Sequence, residues 1–170
     1  MKPNSLETFI SKVRNTWGPL KTETVKHVQH QLTELTRANE AEAWLAALKN
    51  DPRDSVELYR DLEHGFVLLA HTEKPGLYRG PHDHGSAWVI YAVQSGEMEM
   101  STYALVSTLA RAPTLVERET YRIRPGESRV YLPGDIHATT CLAPTLMFRF
   151  TSCDLKTELK EGRMNRYENK

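Results

Sequence analysis

The sequence has little cysteine and no long run of apolar residues. Its two cysteines, Cys141 and Cys153, lack the spacing of a zinc site or of a disulfide framework, so we interpret them as packing thiols in a reducing compartment. Polar residues interrupt positions 1–17 every few residues, whereas a secretion signal or a membrane span needs a continuous apolar stretch. We therefore expect a cytoplasmic protein that does not use a membrane as a partner.

The sequence also has no excess of positive or negative charge. The chain has 22 Lys and Arg residues against 22 Asp and Glu residues, and it has no long basic run. Nucleic-acid binding depends on a basic surface that faces the phosphates, so nucleic acid is not an expected partner. There is no internal repeat and no low-complexity segment, and the 170 residues predict a single domain, 1–170, with its own hydrophobic core.

The first part of the chain, residues 1–51, has a helical pattern. Apolar residues recur there at helical spacing in three segments. Asn4 followed by Glu7 predicts a capping pair for the first helix, Pro19 can open the second helix and Asn39 can cap the third. We expect these helices to cover one outer face of the structure that follows.

Residues 56–155 have a different pattern, in which short β-rich runs are separated by Gly and Pro. The runs are GFVLLA, AWVIYAV, EMEMSTYAL, ETYRIRP, RVYLP and TLMFRFTS. No helical segment comes between them, which favours an antiparallel barrel or jelly roll over a parallel α/β sheet. Residues 105–115 are interpreted as a connection, and residues 156–170 as a tail.

Three histidines form a candidate metal site. Residues i and i+2 of an extended chain point to the same side, so His82 and His84 can converge on one ion while Asp83 points away. His137 follows a Pro-Gly turn between two strands, and a barrel can bring it to the other two. Neutral imidazole suits iron, copper, nickel and zinc, whereas magnesium and calcium prefer oxygen ligands.

The two histidine segments resemble the two sequence motifs of the cupins. Residues 76–96 have a Gly, five residues, HxH, a short gap and a later Gly. Residues 126–137 resemble the second motif, although its Pro is adjacent to the Gly and Cys141 stands where the family usually has Asn. The resemblance covers residues 58–152. It implies a mainly β fold, a cupin (RmlC-like) jelly-roll β-barrel with an N-terminal layer of α-helices.

One position departs from the first motif. Val89 stands seven residues before Gly96, where many cupins have a metal-binding Glu. Without that acid the site consists of three neutral histidines, and a divalent metal keeps its full charge and three open positions. This arrangement favours an anionic bidentate ligand together with dioxygen. We expect one divalent metal, iron(II), with nickel, zinc or manganese as the alternatives.

Among the cupins, the sequence is similar to the cysteine dioxygenase group of thiol dioxygenases. The similarity lies in residues 58–62 (LYRDL), in the HDH segment and in the N-terminal helices. In that family an Arg of the first segment binds the substrate carboxylate, and Arg60 falls at the matching position. Phe150 aligns with the family's active-site Tyr, and Val89 lies where some members have a Cys crosslinked to that Tyr.

Several residues compete for substrate binding. Arg60 can instead be a structural ion-pairing residue, and three further arginines are candidates: Arg79, Arg129 and Arg149. Another tyrosine could supply the hydroxyl that Phe150 lacks, and strand parity alone does not show which of the candidates faces inward. The candidates are Tyr91, Tyr103 and Tyr131. The predicted substrate-binding residues are Arg60, Arg79, Tyr91 and Tyr131.

The leading functional hypothesis is a non-haem iron(II) dioxygenase that acts on a small carboxylate or thiol acid, with dioxygen as its second substrate. One alternative keeps the metal site for an isomerase or lyase, or for oxidative cleavage of a diketone or aromatic diol. An alternative of another class is a non-catalytic barrel that binds a small molecule, including one that has lost its metal. Family resemblance also predicts a homodimer formed by barrel-edge pairing.

Overall fold

The computed structural model describes residues 2–108 and 111–168, so residues 1, 109–110 and 169–170 of the predicted span 1–170 lie outside the described part. Three helices come first: α1 (Ser5–Thr16), α2 (Thr22–Leu35) and α3 (Ala43–Asn50). The strands follow: β1 (Val56–Arg60), β2 (Val67–Glu73), β3 (Tyr78–His82), β4 (Val89–Ser95), β5 (Met98–Thr108), β6 (Arg111–Ile123), β7 (Ser128–Tyr131), β8 (Ile136–Cys141) and β9 (Thr145–Thr151). Helix α4 (Leu155–Lys160) comes after the last strand. No helix in this described part is long and apolar enough to cross a lipid bilayer.

The strands form two antiparallel sheets that face each other. The five-stranded sheet has the order β1-β2-β9-β4-β7, and the four-stranded sheet has the order β3-β8-β5-β6. Neighbouring strands are mostly distant in sequence, so the chain crosses repeatedly from one sheet to the other. The predicted mainly β jelly-roll fold with an N-terminal helical layer is confirmed.

Helix α1 begins where a polar side chain satisfies one of its first backbone amides. The Asn4 side chain accepts the Glu7 amide at 2.9 Å and the Glu7 carboxylate accepts the Asn4 amide at 2.9 Å, which is the expected capping box of α1. Helix α3 begins at Ala43, later than the predicted cap at Asn39. The Asn39 side chain instead accepts the Ala41 amide at 2.9 Å in the preceding turn.

The helices cover the outer face of the five-stranded sheet. Trp88, just before β4, Ile90 of β4 and Phe148 and Phe150 of β9 pack there against buried side chains of the three helices. Trp17, at the end of α1, stacks on Trp88 with ring centroids 5.9 Å apart. Burial of these large apolar side chains stabilises the attachment of the helical layer to the barrel.

The opposite faces of the same strands point between the two sheets. Val89, Tyr91 and Val93 of β4 lie in a second buried cluster with methionines of β5 and β9. The structure therefore places Tyr91 inside the barrel and Trp88 outside, a choice that the sequence leaves open. Every second residue of β4 is thereby directed into the space between the two sheets.

Two segments have more structure than the sequence indicates. Strands β5 and β6 continue as a hairpin to Thr108 and from Arg111, so the described part of residues 105–115 is strand and not connection. Residues 155–167, called here the C-terminal segment, form α4 and then pack against the barrel. The Tyr167 amide donates to the Pro81 carbonyl at 2.9 Å, close to the first histidine pair.

Candidate metal centre

Three histidines from two neighbouring strands of the four-stranded sheet meet inside the barrel. His82 ends β3, His84 follows two residues later, and His137 is the second residue of β8. His82 and His137 are direct partners in the antiparallel pairing of these strands, so the pairing itself brings the third ring to the other two. One nitrogen of each ring lies within 4.8 Å of the others.

Burial keeps the three rings neutral. It lowers the pKa of His84 to about 3, and the nearby charge of Arg149 acts in the same direction. Burial also lowers the pKa of His82 and that of His137. A neutral imidazole has a lone pair free for a metal, so the cluster is in its ligating form at neutral pH.

The hydrogen bonds of the rings also fit metal binding. The Nδ1–H of His82 donates to the Gly80 carbonyl at 2.8 Å, which leaves the lone pair on Nε2 free. His137 is fully buried, yet neither of its ring nitrogens has a hydrogen-bond partner among the described residues. An unpartnered buried nitrogen costs free energy that a ligand would recover. The three-histidine group can therefore hold one divalent metal.

Two of the predicted tyrosines lie beside these rings. The Tyr91 hydroxyl is 3.2 Å from Nε2 of His84, so it is at the centre of the site. The Tyr131 ring stacks on His137 with centroids 3.8 Å apart, but its hydroxyl bonds to Tyr121 and to Met100. Tyr131 therefore supports a histidine through its ring, whereas Tyr91 brings a buried hydroxyl to the histidine group.

Tyr103, the remaining tyrosine candidate, lies elsewhere. It packs in a small separate cluster with Ile136 and Ala138 and is 8% exposed. Ile136 precedes His137 on β8 and points to the opposite face of that strand. The structure thus leaves Tyr91 as the phenol that faces the three histidines.

A cavity of about 500 Å3 opens onto His82 and His84. Three arginines lie in its wall, and no Asp or Glu of the described residues does: Arg79, Arg149 and Arg166. Apolar side chains of the C-terminal segment close one side: Leu155, Leu159 and Met164. A cavity with cationic walls and no acid attracts anions.

Arg60 is not one of the residues that line this cavity. Its guanidinium pairs with Glu57 at 2.7 Å and with Asp154 at 2.9 Å, and it lines a neighbouring cavity. The guanidinium expected to bind a substrate carboxylate therefore already binds two carboxylates of the protein. This corrects the expectation from family resemblance, because Arg60 joins β1 to the start of α4.

Arg79, the second arginine of the prediction, does lie in the cavity wall. Its NH1 group is 2.7 Å from the carboxylate of Glu73, which is almost fully buried on β2. Arg79 therefore neutralises a buried acid of the protein. This pairing reduces the charge that Arg79 can offer to a ligand.

The last strand turns a different residue to the interior from the one that family resemblance predicts. Phe150, which the resemblance matches with the family's active-site Tyr, packs under the helices against Trp88. The inward residue of that part of β9 is Arg149, which lines the cavity. The flanking residues carried a usable signal, since Phe148 and Phe150 are a matched apolar pair with one Arg between them. Val89 is fully buried on the inner face, so that position supplies no carboxylate.

Asp83, between the two histidines, binds the C-terminal segment. Its carboxylate accepts the Asn165 amide and side-chain amide, each at 2.9 Å, and the Tyr167 hydroxyl at 2.8 Å. The Gly85 amide also donates to it, at 3.0 Å. Burial alone would raise the pKa of Asp83, but these hydrogen bonds lower it. The residues predicted as a tail are thus attached to the metal-binding loop.

No protein-family model and no curated protein sequence matches the chain. Solved structures similar to it include KdgF from Halomonas sp., with 18% identity over 59% of this chain and 82% of that one, at a TM-score of 0.46. The cupin domain of Cnp3 from Schizosaccharomyces pombe has 11% identity over 64% of this chain and 66% of that one, at a TM-score of 0.46. A variant of L-ribose isomerase from Acinetobacter sp. DL28 has 18% identity over 57% of each chain, at a TM-score of 0.46.

The strand order and the three histidines describe the fold and the candidate site independently of these similar structures. The chain forms a two-sheet antiparallel jelly roll. Its interior holds a group of three histidines that can bind a divalent metal.

Proposed function

We propose that the protein is a metal-dependent enzyme of small-molecule metabolism and that its metal is iron(II), used with dioxygen. The observation that carries the proposal is the convergence of three neutral histidines beside a cavity whose described wall has no carboxylate. A divalent metal in such surroundings keeps its charge uncompensated. It therefore favours an anionic substrate and retains room for a second ligand.

The chain's own groups would bind and shield the substrate. When iron(II) is bound by the three histidines, it supplies a positive charge for a substrate donor atom and redox chemistry with dioxygen. Burial raises the pKa of Tyr91, so its hydroxyl stays protonated and can donate a hydrogen bond beside the three histidines. Leu155 and Leu159 give the cavity an apolar border on the side that they line.

A small thiol acid is the substrate class that we favour. Addition of both oxygen atoms of dioxygen to a thiol converts R–SH into the sulfinic acid R–SO2H, so the reaction balances without an external reductant. Sulfur and carboxylate together give the substrate two anionic groups, one for the metal and one for the cationic wall. Small hydroxy acids and other carboxylates would use the same two features.

The test is oxygen uptake by protein reconstituted with iron(II) under anaerobic conditions. We expect uptake with at least one member of a panel of thiol acids and other small carboxylates, and a sulfinate product from a thiol. His84→Gln should lose metal and uptake together, whereas His30→Gln, on the exposed face of α2, should retain both. If no member of the panel causes uptake by the iron-loaded protein, the oxygenase proposal is wrong.

A second candidate function is a non-redox isomerase or lyase that uses nickel, manganese or zinc. The position of Tyr91 favours it, because a protonated phenol 3.2 Å from a ligating ring can serve as a proton donor. Metal analysis of protein purified without chelators or added metal separates the two candidates. Iron with oxygen uptake supports oxygenation, and zinc or nickel without uptake supports the second candidate.

A further inference from the structure

Arg149 is placed at the centre of the inner face by the register of three strands. It lies on β9 directly opposite Tyr91 of β4 on one side and Leu69 of β2 on the other. Side chains at paired positions lie on the same face of a sheet, so Arg149 and Tyr91 are neighbours inside the barrel. Arg149 lines the cavity together with His82 and His84.

The charge of Arg149 is not neutralised by the protein. Arg60 and Arg79 form ion pairs with Asp154 and Glu73, as described above. Arg149 forms no ion pair with any carboxylate in the described part of the chain. Its Nε is buried and has no hydrogen-bond partner there. A buried guanidinium nitrogen without an acceptor is costly, and an anionic ligand would remove that cost.

We propose that Arg149 binds the carboxylate of the substrate, with the Tyr91 hydroxyl beside it, while a second donor atom of the substrate lies against the three histidines. This inference rests on the proposed function and specifies its substrate as an acid. The planar guanidinium can donate two parallel hydrogen bonds to one carboxylate, which fixes the orientation of the ligand.

Charge balance supports an acid over a neutral ligand. A divalent metal on three neutral histidines and an unpaired Arg149 place two separate positive centres at one cavity. A thiol acid bound as thiolate and carboxylate supplies one negative charge to each centre. A neutral thiol leaves the buried Nε of Arg149 without an acceptor, so the site discriminates against it.

The competing cation in the wall is Arg166 of the C-terminal segment. It also lines the cavity, but its side chain is exposed, so water can solvate its charge without a ligand. An exposed cation contributes less to anion binding than one whose Nε is shielded from water. The binding energy for a carboxylate is therefore assigned to Arg149.

The experiment compares two thiols of similar size on the full chain loaded with cobalt(II), which reports ligand binding by its absorption spectrum and does not need turnover. The probes are 3-mercaptopropionate, an acid, and 2-mercaptoethanol, which is neutral. We expect the acid to bind the native protein roughly tenfold more tightly or better. Arg149→Gln should remove most of that preference while leaving 2-mercaptoethanol binding unchanged, and Arg149→Lys should restore part of it.

Arg60→Gln is the matched control, because it removes the arginine that family resemblance favours. It should keep the preference for the acid. If the preference survives in Arg149→Gln, or disappears in Arg60→Gln alone, the assignment of Arg149 is overturned while the proposed function stands. Cobalt content and thermal unfolding of each variant show whether the comparison is made on folded, loaded protein.

A second pair of probes keeps the inference testable if thiols do not bind. Glycolate and ethylene glycol differ in the same way, as acid and neutral molecule, and calorimetry measures both. If neither thiol binds, and Arg149→Gln loses the preference for glycolate over ethylene glycol, the inference is supported. In that case only the proposal of a thiol substrate is wrong. If neither acid binds the cobalt-loaded native protein, the inference is wrong.

Discussion

The Tyr167 hydroxyl donates a hydrogen bond to Asp83 at 2.8 Å, and so joins the C-terminal segment to the residue that separates His82 from His84. The burial of Asp83 makes this a bond to a shielded carboxylate, and bonds to charged groups are stronger than neutral ones. The contact therefore affects both the stability of the segment and the position of the histidine pair.

Tyr167→Phe should destabilise the protein and weaken metal binding. We expect a loss of about 1–2 kcal/mol in the free energy of unfolding, since one bond to a charged acceptor is removed. We also expect about a tenfold loss of cobalt(II) affinity, as for other residues that support metal ligands. Chemical denaturation and competitive metal titration measure the two effects. Tyr78→Phe, at an exposed tyrosine of the same cavity, is the control and should change neither.

Gly85→Ala should lower the free energy of unfolding by more than a substitution at another glycine of positive φ does. A Cβ on Gly85 would lie 2.5 Å from Oε2 of Glu158, and that oxygen also accepts the Ser86 amide and an Arg163 nitrogen. Gly65 has a similar positive φ with nothing within 4 Å of its Cβ position.

We expect Gly65→Ala to cost about 1 kcal/mol from backbone strain alone, and Gly85→Ala to cost about 3 kcal/mol because the contact with α4 is also displaced. Thermal and chemical unfolding of the two variants measure the difference. Equal losses would show that the loop and α4 are not packed against each other as the structure has them.

Acid should destabilise the metal-free protein partly through His71. Burial, together with the charges of Arg149 and Arg79, lowers the pKa of His71 to about 3. The unfolded chain binds this proton near pH 6.5, so below that pH the unfolded state is favoured, increasingly down to the folded pKa.

Between pH 7 and pH 5 the contribution of His71 to this loss is about 2 kcal/mol. His71→Asn cannot take up the proton, so its free energy of unfolding should fall by about 2 kcal/mol less over that interval. Denaturation of both proteins at the two pH values, in the presence of a chelator, makes the comparison. The same fall in both would show that His71 is protonated in the folded state.

His137→Leu should separate the cost of the empty site from the benefit of the metal. Both ring nitrogens of His137 lack partners in the described protein, so an apolar side chain of similar volume removes a buried polar group. We expect the metal-free variant to be within about 1 kcal/mol of the native protein or more stable. We also expect it to lose the rise in Tm that cobalt(II) gives the native chain. His30→Leu should keep that rise in full.

The histidines and the barrel could be predicted from the sequence because both depend on local patterns. The HxH spacing fixes the side to which His82 and His84 point, and the Pro-Gly turn brings His137 to the start of a strand. The role of Arg60 could not be predicted, because it depends on Asp154, which is distant in sequence and reaches Arg60 only through the packing of α4. Neither Asn165 nor Tyr167 belongs to a pattern that indicates contact with Asp83.

The resemblance to the family also did not show which residue of β9 faces the cavity. A shift of one residue exchanges Phe150 for Arg149 at the cavity, which changes an apolar wall into a cationic one. The register of β9 against both β2 and β4 determines which of the two residues faces inward, and that register exists only in the assembled sheet.

The attachment of the C-terminal segment has a consequence for metal exchange. Leu155, Leu159 and Met164 of that segment line the cavity that opens onto His82 and His84, and Asn165 and Tyr167 hold the segment to Asp83. The rate at which a metal enters or leaves on this side of the cavity therefore depends on hydrogen bonds to a single carboxylate.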